Sequence, residues 1–267
     1  MLRQVLFYIR KQKQIEREVK EALEGNLEVL WLEDMEKIRR QSLEDKLLVT
    51  DCADQELPEE FLEMPRLGYG LEYRGSAEYV VENVEALDKT YLEMVYCRYY
   101  HLPVIIAETE RLLIREMSVQ DLDGLYALYD TLNDCPYVEP LYVRQEEEEF
   151  TKRYIKNMYG FFGHGLWLIF RKEDYQLIGR AGIENREING MLEKELGYLI
   201  GKPWQKKGYA WEACQAILSY ARQQIDCERL FLCSDKENIA SISLAKKLGF
   251  SSFAEDIDGM NLYIMEL

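Results

Sequence analysis

Six residues, Gln205-Lys206-Lys207-Gly208-Tyr209-Ala210, bring together what an anion needs. They stand between an apolar stretch at 196–200 and a run in which Ala210, Ala213, Cys214, Ile217, Leu218 and Ala221 recur at the spacing of one helical face. Pro203 cannot donate to a sheet ladder, so the preceding strand is expected to stop before it. The first amides of a helix have no partner inside it and carry the positive end of its dipole. Gly208 lets the backbone approach a ligand, Ala210 keeps the first turn small, and Lys206 and Lys207 add positive charge. Amide bonds to a charged acceptor contribute about 1.5–3 kcal/mol each, so three or four of them can hold a pyrophosphate. Two familiar phosphate loops do not fit: the chain has no G-x-x-x-x-G-K-[ST] and no G-x-G-x-x-G after a strand.

Q-x-x-G-x-A between strand and helix resembles the acyl-CoA pyrophosphate loop of the GCN5-related N-acetyltransferase (GNAT) superfamily. Further stretches resemble that superfamily's motifs in its order: TERLLIR at 109–115 its first strand, LIGRAGI at 177–183 its third, and ELGY at 195–198 its fourth. NIASISLAKKLGF at 238–250 resembles the motif after the fifth. Together they resemble the ribosomal-protein N-acetyltransferase branch, over residues 109–267.

The resemblance implies a mixed α/β sheet whose fourth and fifth strands splay apart to admit the pantetheine arm of acetyl-CoA. It places the backbone of Leu199 and Ile200 against that arm, the amides from Gln205 to Ala210 around the pyrophosphate, and Asn238 near the thiol end. A backbone amide near Leu199 would stabilise an oxyanion. Asn238 equally suits a helix N-cap. Gly197 is expected to mark a bulge that starts the splay.

The acceptor must be a neutral amine. At pH 7 deprotonating an α-amine costs about 1.4 kcal/mol, and a lysine-type amine roughly 4.6 kcal/mol. A general base is therefore useful in the first case and close to essential in the second. Candidates are Glu195, which aligns with an acidic position of the family's fourth strand, and Glu184 on the third strand, each among apolar neighbours that could raise its pKa. Either could instead be a surface carboxylate. Many relatives carry a tyrosine acid seven residues after the motif asparagine, where this chain has Ala245. The ribosomal-protein branch implies a serine instead, matched by Ser241, which is assigned to the departing sulfur. Tyr198 reads as core or tunnel wall, Glu212 as a structural partner of the helix dipole, and His164, between two glycines, as a turn residue.

The elements that must position these residues keep the family's order. A strand is expected over 109–117, helices over 119–131 and 145–158, and strands over 166–171 and 177–188, with Asn189-Gly190 turning into the central strand. After the pyrophosphate helix come a strand at 228–233, a helix at 239–248 closed by Gly249, and two final strands. The loop at 132–143 and the final hairpin are expected to line the acceptor groove, with Asp134, Tyr137, Glu139 and Tyr142 holding a cation.

Residues 1–103 read as a smaller α/β domain with some parallel sheet, its boundary near His101-Leu-Pro103. Helix is expected over 1–24, ending at Gly25-Asn26, then a strand at 46–51, a helix over 58–64, strands at 66–70 and 78–82, and a helix over 88–100. The stretch LLVTD at 47–51, with the later strands at 66–70 and 78–82, resembles a degenerate haloacid-dehalogenase-type domain. No early D-x-D is present, so Asp51 reads as a turn or capping residue and the domain as non-catalytic.

Composition bounds the remaining classes. The chain of 267 residues is 48% hydrophobic and 31% charged, an ordinary globular balance, and no apolar run approaches the roughly 18 residues of a membrane span. A net charge of −16 argues against a nucleic-acid backbone and suits a cationic acceptor. The N-terminus lacks a convincing signal peptide, and Cys52, Cys97, Cys135, Cys214, Cys227 and Cys233 form no C-x-x-C, so a cytoplasmic protein with reduced thiols is expected. With only His101 and His164, no metal site is expected. The sequence reads as an acetyl-CoA-dependent N-acetyltransferase acting by direct attack in a ternary complex, on a protein N-terminus or a small-molecule amine. A non-catalytic acyl-CoA sensor or scaffold is the competing class.

Overall fold

The computed structural model describes residues 1–10, 12–23, 25, 27–31, 42–257 and 259–267. The chain divides into two compact units, Met1–Val104 and Ile105–Leu267.

The N-terminal unit holds strands β1 (Gln4–Tyr8), β2 (Glu28–Trp31), β3 (Lys46–Thr50), β4 (Arg66–Tyr69) and β5 (Tyr79–Val81), with helices α1 (Gln12–Leu23) and α2 (Lys89–Tyr99). Among the described residues the strands form one sheet in the order β2-β1-β3-β4-β5, every pair parallel. The helix expected over 1–24 is corrected at its start, because residues 4–8 are a strand. Val5, Leu6 and Phe7 are fully buried, and three contiguous core side chains suit a parallel strand covered on both faces, not one stripe of a helix. Gly25 takes φ +75° just past α1, while Asn26 lies outside the described residues. The helix expected over 58–64 reduces to a single 3-10 turn, Glu59–Phe61. Asp88 caps α2, accepting a 2.8 Å bond from the Tyr91 amide.

The C-terminal unit is built on β6 (Ile105–Glu108), β7 (Leu112–Arg115), β8 (Leu166–Arg171), β9 (Gln176–Ile188), β10 (Met191–Ile200), β11 (Arg229–Asp235), β12 (Ser251–Ile257) and β13 (Met260–Glu266). They form one mixed sheet in the order β12-β13-β11-β10-β9-β8-β7-β6. Its helices are α3 (Leu122–Asp130), α4 (Arg144–Tyr154), α5 (Tyr209–Gln224) and α6 (Ile239–Leu248). The strand expected over 109–117 is shortened to β7, because residues 109–111 turn the chain back from β6, with the Thr109 hydroxyl accepting the Leu112 amide at 2.9 Å. The helix expected over 145–158 runs as α4 and then winds on as a π-helix, Ile155–Phe162, closing on Gly163 at φ +72°. Asn189 and Gly190 both take positive φ, as a tight primed turn between right-twisted strands requires.

β10 is the hinge of the sheet. Ten residues pair antiparallel with β9, whereas with β11 the parallel pairing is a single step, Glu195 opposite Phe231. The two strands therefore part after Glu195. Gly197 pairs with Gly182 in unbroken register, so the expected bulge at Gly197 is absent from the β9–β10 ladder and the splay belongs to the β11 side. One face of the sheet carries α5, with Trp167 against Tyr220 at 5.3 Å between ring centroids. The opposite face meets α3 and α4, where Arg180 donates to the Tyr129 hydroxyl and Glu184 accepts from the Tyr154 hydroxyl.

Candidate active site

The turn that leads into α5 is built to leave its amides open. Lys202–Trp204 form one 3-10 turn, and the Gln205 side chain donates to the Ile200 carbonyl at 2.9 Å, closing the loop on the end of β10. Lys206 (φ +61°) and Gly208 (φ +85°) then reverse the chain. The first bond into the helix runs from the Glu212 amide to the Gly208 carbonyl at 3.1 Å, so the amides of Tyr209, Ala210 and Trp211 precede the intrahelical ladder.

A clamp that spacing does not reveal holds this opening. Glu212 accepts from the Thr109 hydroxyl at 2.5 Å, the Arg111 amide at 3.1 Å and Arg111 Nε at 2.7 Å. Burial alone pushes the Glu212 carboxyl up, but Thr109 and Arg111 outweigh it and hold the group below its ordinary 4.5. The Arg111 guanidinium also donates to the Lys207 carbonyl at 3.1 Å and lies 4.5 Å above the Tyr209 ring.

Beside the loop is a cavity of about 510 Å³, in the gap between β10 and the start of α6. Of the residues expected at the cofactor, Leu199, Ile200, Gln205, Lys206, Gly208, Tyr209, Ala210 and Asn238 line it. Lys207 is not among the lining residues; its backbone carbonyl serves the Arg111 clamp.

A second cavity, about 570 Å³, lies along the residues where β10 and β11 part. The loop 136–140 forms one wall, and Glu195, Cys233 and Asp235 bring polar groups to it. Five residues line both cavities: Tyr137, Val138, Tyr198, Asn238 and Ser241. Asn238 caps α6, its side-chain oxygen accepting the Ser241 amide at 3.1 Å. Ser241 is buried, and its hydrogen bond with Tyr198 partly offsets the burial that pushes the tyrosine up to about 12.

The two candidate bases separate here. Glu195 lines the second cavity; its carboxylate pairs with Arg186 at 2.9 Å and accepts the Cys233 amide at 3.3 Å. The apolar setting expected for it is thus replaced by a cation and an amide. Burial, and then the charge of Glu195, push the Cys233 thiol up to about 12. Glu184 does not line either cavity and instead accepts the Tyr154 hydroxyl at 2.7 Å. Of the cation-holding residues expected in the acceptor groove, Tyr137 and Glu139 line the second cavity. Asp134 is ion-paired with Lys202, and Tyr142 packs on Phe150. Asp235, unnoticed in the sequence, takes a place in the wall instead.

His164 also departs from expectation. It is no exposed turn residue: only 2% of it is accessible, and Nδ1 donates to the Ile183 carbonyl at 2.9 Å.

Comparison with known proteins gives this geometry its family. The model of the "Acetyltransferase (GNAT) domain" matches residues 111–251, over half of the chain. The uncharacterized N-acetyltransferase YnaD of Bacillus subtilis is 34% identical over 141 residues, which cover 53% of this chain and 79% of that protein. The [Ribosomal protein uS5]-alanine N-acetyltransferase of Escherichia coli is 31% identical over 96 residues, covering 34% of this chain and 50% of that enzyme. The solved structure of RimL, a ribosomal L7/L12 alpha-N-protein acetyltransferase, superposes with a TM-score of 0.53 at 18% identity, over 63% of this chain and 97% of that one, a likeness of fold. Members of this family draw their acetyl group from acetyl-CoA, and this chain, matched from β7 to the start of β12, belongs to the GNAT acetyltransferases and is an N-acetyltransferase.

Proposed function

We propose that the C-terminal unit transfers an acetyl group from acetyl-CoA to a primary amine while both are bound. The observation that carries this reading is the meeting of two cavities at Tyr198, Asn238 and Ser241. One opens toward the glycine-started helix and the other toward carboxylates, so a donor and a cationic acceptor can be held at once.

The residues fit the donor. A pyrophosphate suits the open amides at Tyr209, Ala210 and Trp211, which Gly208 leaves approachable: even the nearest atom to a Cβ there would be Arg111 Nη2 at 3.5 Å. Leu199 and Ile200 line the first cavity on the part of β10 that β11 does not pair, the side on which an amide-bearing arm can lie. When bound, acetyl-CoA supplies an acetyl group on a thioester. Ser241 Oγ, at the junction, is assigned the hydrogen bond to the sulfur side, and Glu195 the amine's proton, taken directly or through water. Glu184 is assigned a positioning role through Tyr154.

The acceptor is read as a protein N-terminal amine, with a small-molecule amine second. The names of the two ribosomal-protein enzymes support the first, and so does the smaller cost of deprotonating an α-amine. Glu139 and Asp235 flank the acceptor cavity and favour a cationic group. The N-terminal unit is read as a non-catalytic, haloacid-dehalogenase-like remnant. β1 runs into Ile9 and Arg10 with no D-x-D, and Asp51 is engaged as acceptor of the Arg10 amide at 3.2 Å. No helix among the described residues is long and apolar enough to cross a membrane, and a cytoplasmic location is proposed.

Thiol release from acetyl-CoA, measured against a panel of N-terminal peptides, polyamines and amino acids, tests the reading. Glu195→Gln is expected to lower kcat/KM about 100-fold, in the range of general-base catalysis, with acetyl-CoA affinity unchanged. Tight acetyl-CoA binding with no amine raising thiol release above the blank would overturn it.

A further inference from the structure

Outside both cavities, one nucleophile sits in a prepared setting that the transfer reaction leaves unused. Lys194 precedes Glu195 on β10, so the two side chains point to opposite faces of the sheet. Lys194 Nζ lies 2.6 Å from His164 Nε2 and 2.6 Å from Asn185 Oδ1. Neither partner is a carboxylate. The Nδ1–H of His164 donates to the Ile183 carbonyl, which leaves Nε2 as a lone pair turned to the amine. Carbonyl, imidazole and nucleophile thus stand in line, the arrangement in which an oriented base activates a neighbouring group.

The amine's protonation state matches this setting. A neutral amine has two N–H bonds, and here they meet two neutral acceptors, leaving its own lone pair free. The Phe162 ring centroid lies 5.9 Å from Nζ, too far to take a hydrogen bond from a third N–H. Burial lowers the affinity of Lys194 for its proton, with the Cys227 thiol opposing, and burial likewise holds His164 neutral. Lys194 is part-exposed, so a small electrophile can reach it.

We propose that Lys194 is an autoacylation site at which Nζ, with His164 Nε2 as proton acceptor, attacks the carbonyl of an acyl thioester from solution. The N–C bond forms as the C–S bond breaks. The amine's proton passes to Nε2 and on to the departing thiolate, so the products are an ε-acetamide and a free thiol. The reaction needs a thioester only, and it stands or falls apart from the transfer site and from any acceptor assigned to it.

The test is isotope-labelled acetyl-CoA with the full chain and no added amine, followed by peptide mass spectrometry over time. Lys194 is expected to label at least ~10-fold faster than the exposed Lys13 and Lys156, since only Lys194 has an oriented base in reach of its proton as the N–C bond forms. His164→Gln is expected to bring Lys194 down to their rate. A measurement on wild type alone serves if that variant does not fold: labelling of Lys194 should level off at a lower pH than labelling of Lys13 and Lys156 in the same digest. The preference should persist with an acetyl-cysteamine thioester, which lacks the nucleotide. Equal rates at the three lysines, coincident pH profiles, or a preference seen with acetyl-CoA and lost with the truncated thioester would each overturn the proposal.

Discussion

Glu212→Gln isolates the clamp at the mouth of α5. The carboxylate divides its bonds by atom: Oε1 takes the Thr109 hydroxyl and the Arg111 amide, while Oε2 takes Arg111 Nε at 2.7 Å and Nη2 at 2.5 Å. Glutamine keeps an oxygen for the first pair and turns an NH2 toward the guanidinium in place of the second. What is lost is the charge-assisted contact of two guanidinium N–H groups with the single oxygen Oε2, about 1.5–3 kcal/mol per bond when buried. Glu212 is 14% exposed but Arg111 is 43% exposed, so solvent screening discounts the loss to about 2 kcal/mol. For a unit of this size that lowers the melting temperature by roughly 4–8 °C. Its pH dependence has a definite sign. The folded carboxyl lies below its ordinary 4.5, so its contribution is complete above that pH and fades as pH falls through the folded value; wild type and variant should converge in acid. The released guanidinium also loosens the Lys207 carbonyl, so KM for acetyl-CoA should rise several-fold while KM for the acceptor stays put. Calorimetric melting at pH 7 and pH 3.5, with steady-state kinetics, measures all three. A variant that melts within 1 °C of wild type at pH 7 with unchanged KM would refute the reasoning.

Gly208→Ala should cost about 1–2 kcal/mol of stability, because φ +85° is unfavourable for an L-residue although the space beside Arg111 admits a methyl; calorimetric titration should show acetyl-CoA binding at least ~10-fold weaker. His164 supplies an acid-side signature: burial lowers it from 6.5, so its contribution to stability is complete above that value and is lost as pH falls toward the folded one. Chemical denaturation at pH 5 and pH 7.5 should show a smaller pH dependence in His164→Gln than in wild type.

What is legible in the chain is local. The Gln205–Ala210 turn, the 239–248 helix between Asn238 and Gly249, and the Asn189-Gly190 turn each carry their cause within a few residues: a glycine at positive φ, a capping side chain, a period of apolar positions. The features that spacing misses are set by partners far along the chain. Glu212 meets Arg111 across a separation of 101 residues, and nothing near either residue announces the other. β1 reads as helix because its apolar run adjoins a charged amphipathic stretch, and only its two parallel neighbours decide the matter. The π-helical turns at 155–162 continue a helical period that spacing alone cannot tell from α. His164 has the neighbours of a turn residue, two glycines, yet the chain folds it inward onto the Ile183 carbonyl.

The same long-range logic separates the two candidate bases. Glu184 and Glu195 stand directly opposite each other across β9 and β10, on one face, where like charges repel. Each carboxylate is drawn to a different partner: Glu184 toward the Tyr154 hydroxyl beneath α4, Glu195 toward Arg186 and the Cys233 amide at the parting of the strands. That division leaves one acid on the cavity wall and turns the other into a brace for Tyr154, whose hydroxyl in turn accepts the Leu166 amide at 2.7 Å. A sheet that kept β10 and β11 zipped past residue 195 would have no cavity there. The splay that opens this cavity is thus the same feature that puts Glu195 on its wall, and the proposed base and the proposed donor channel rest on one strand separation.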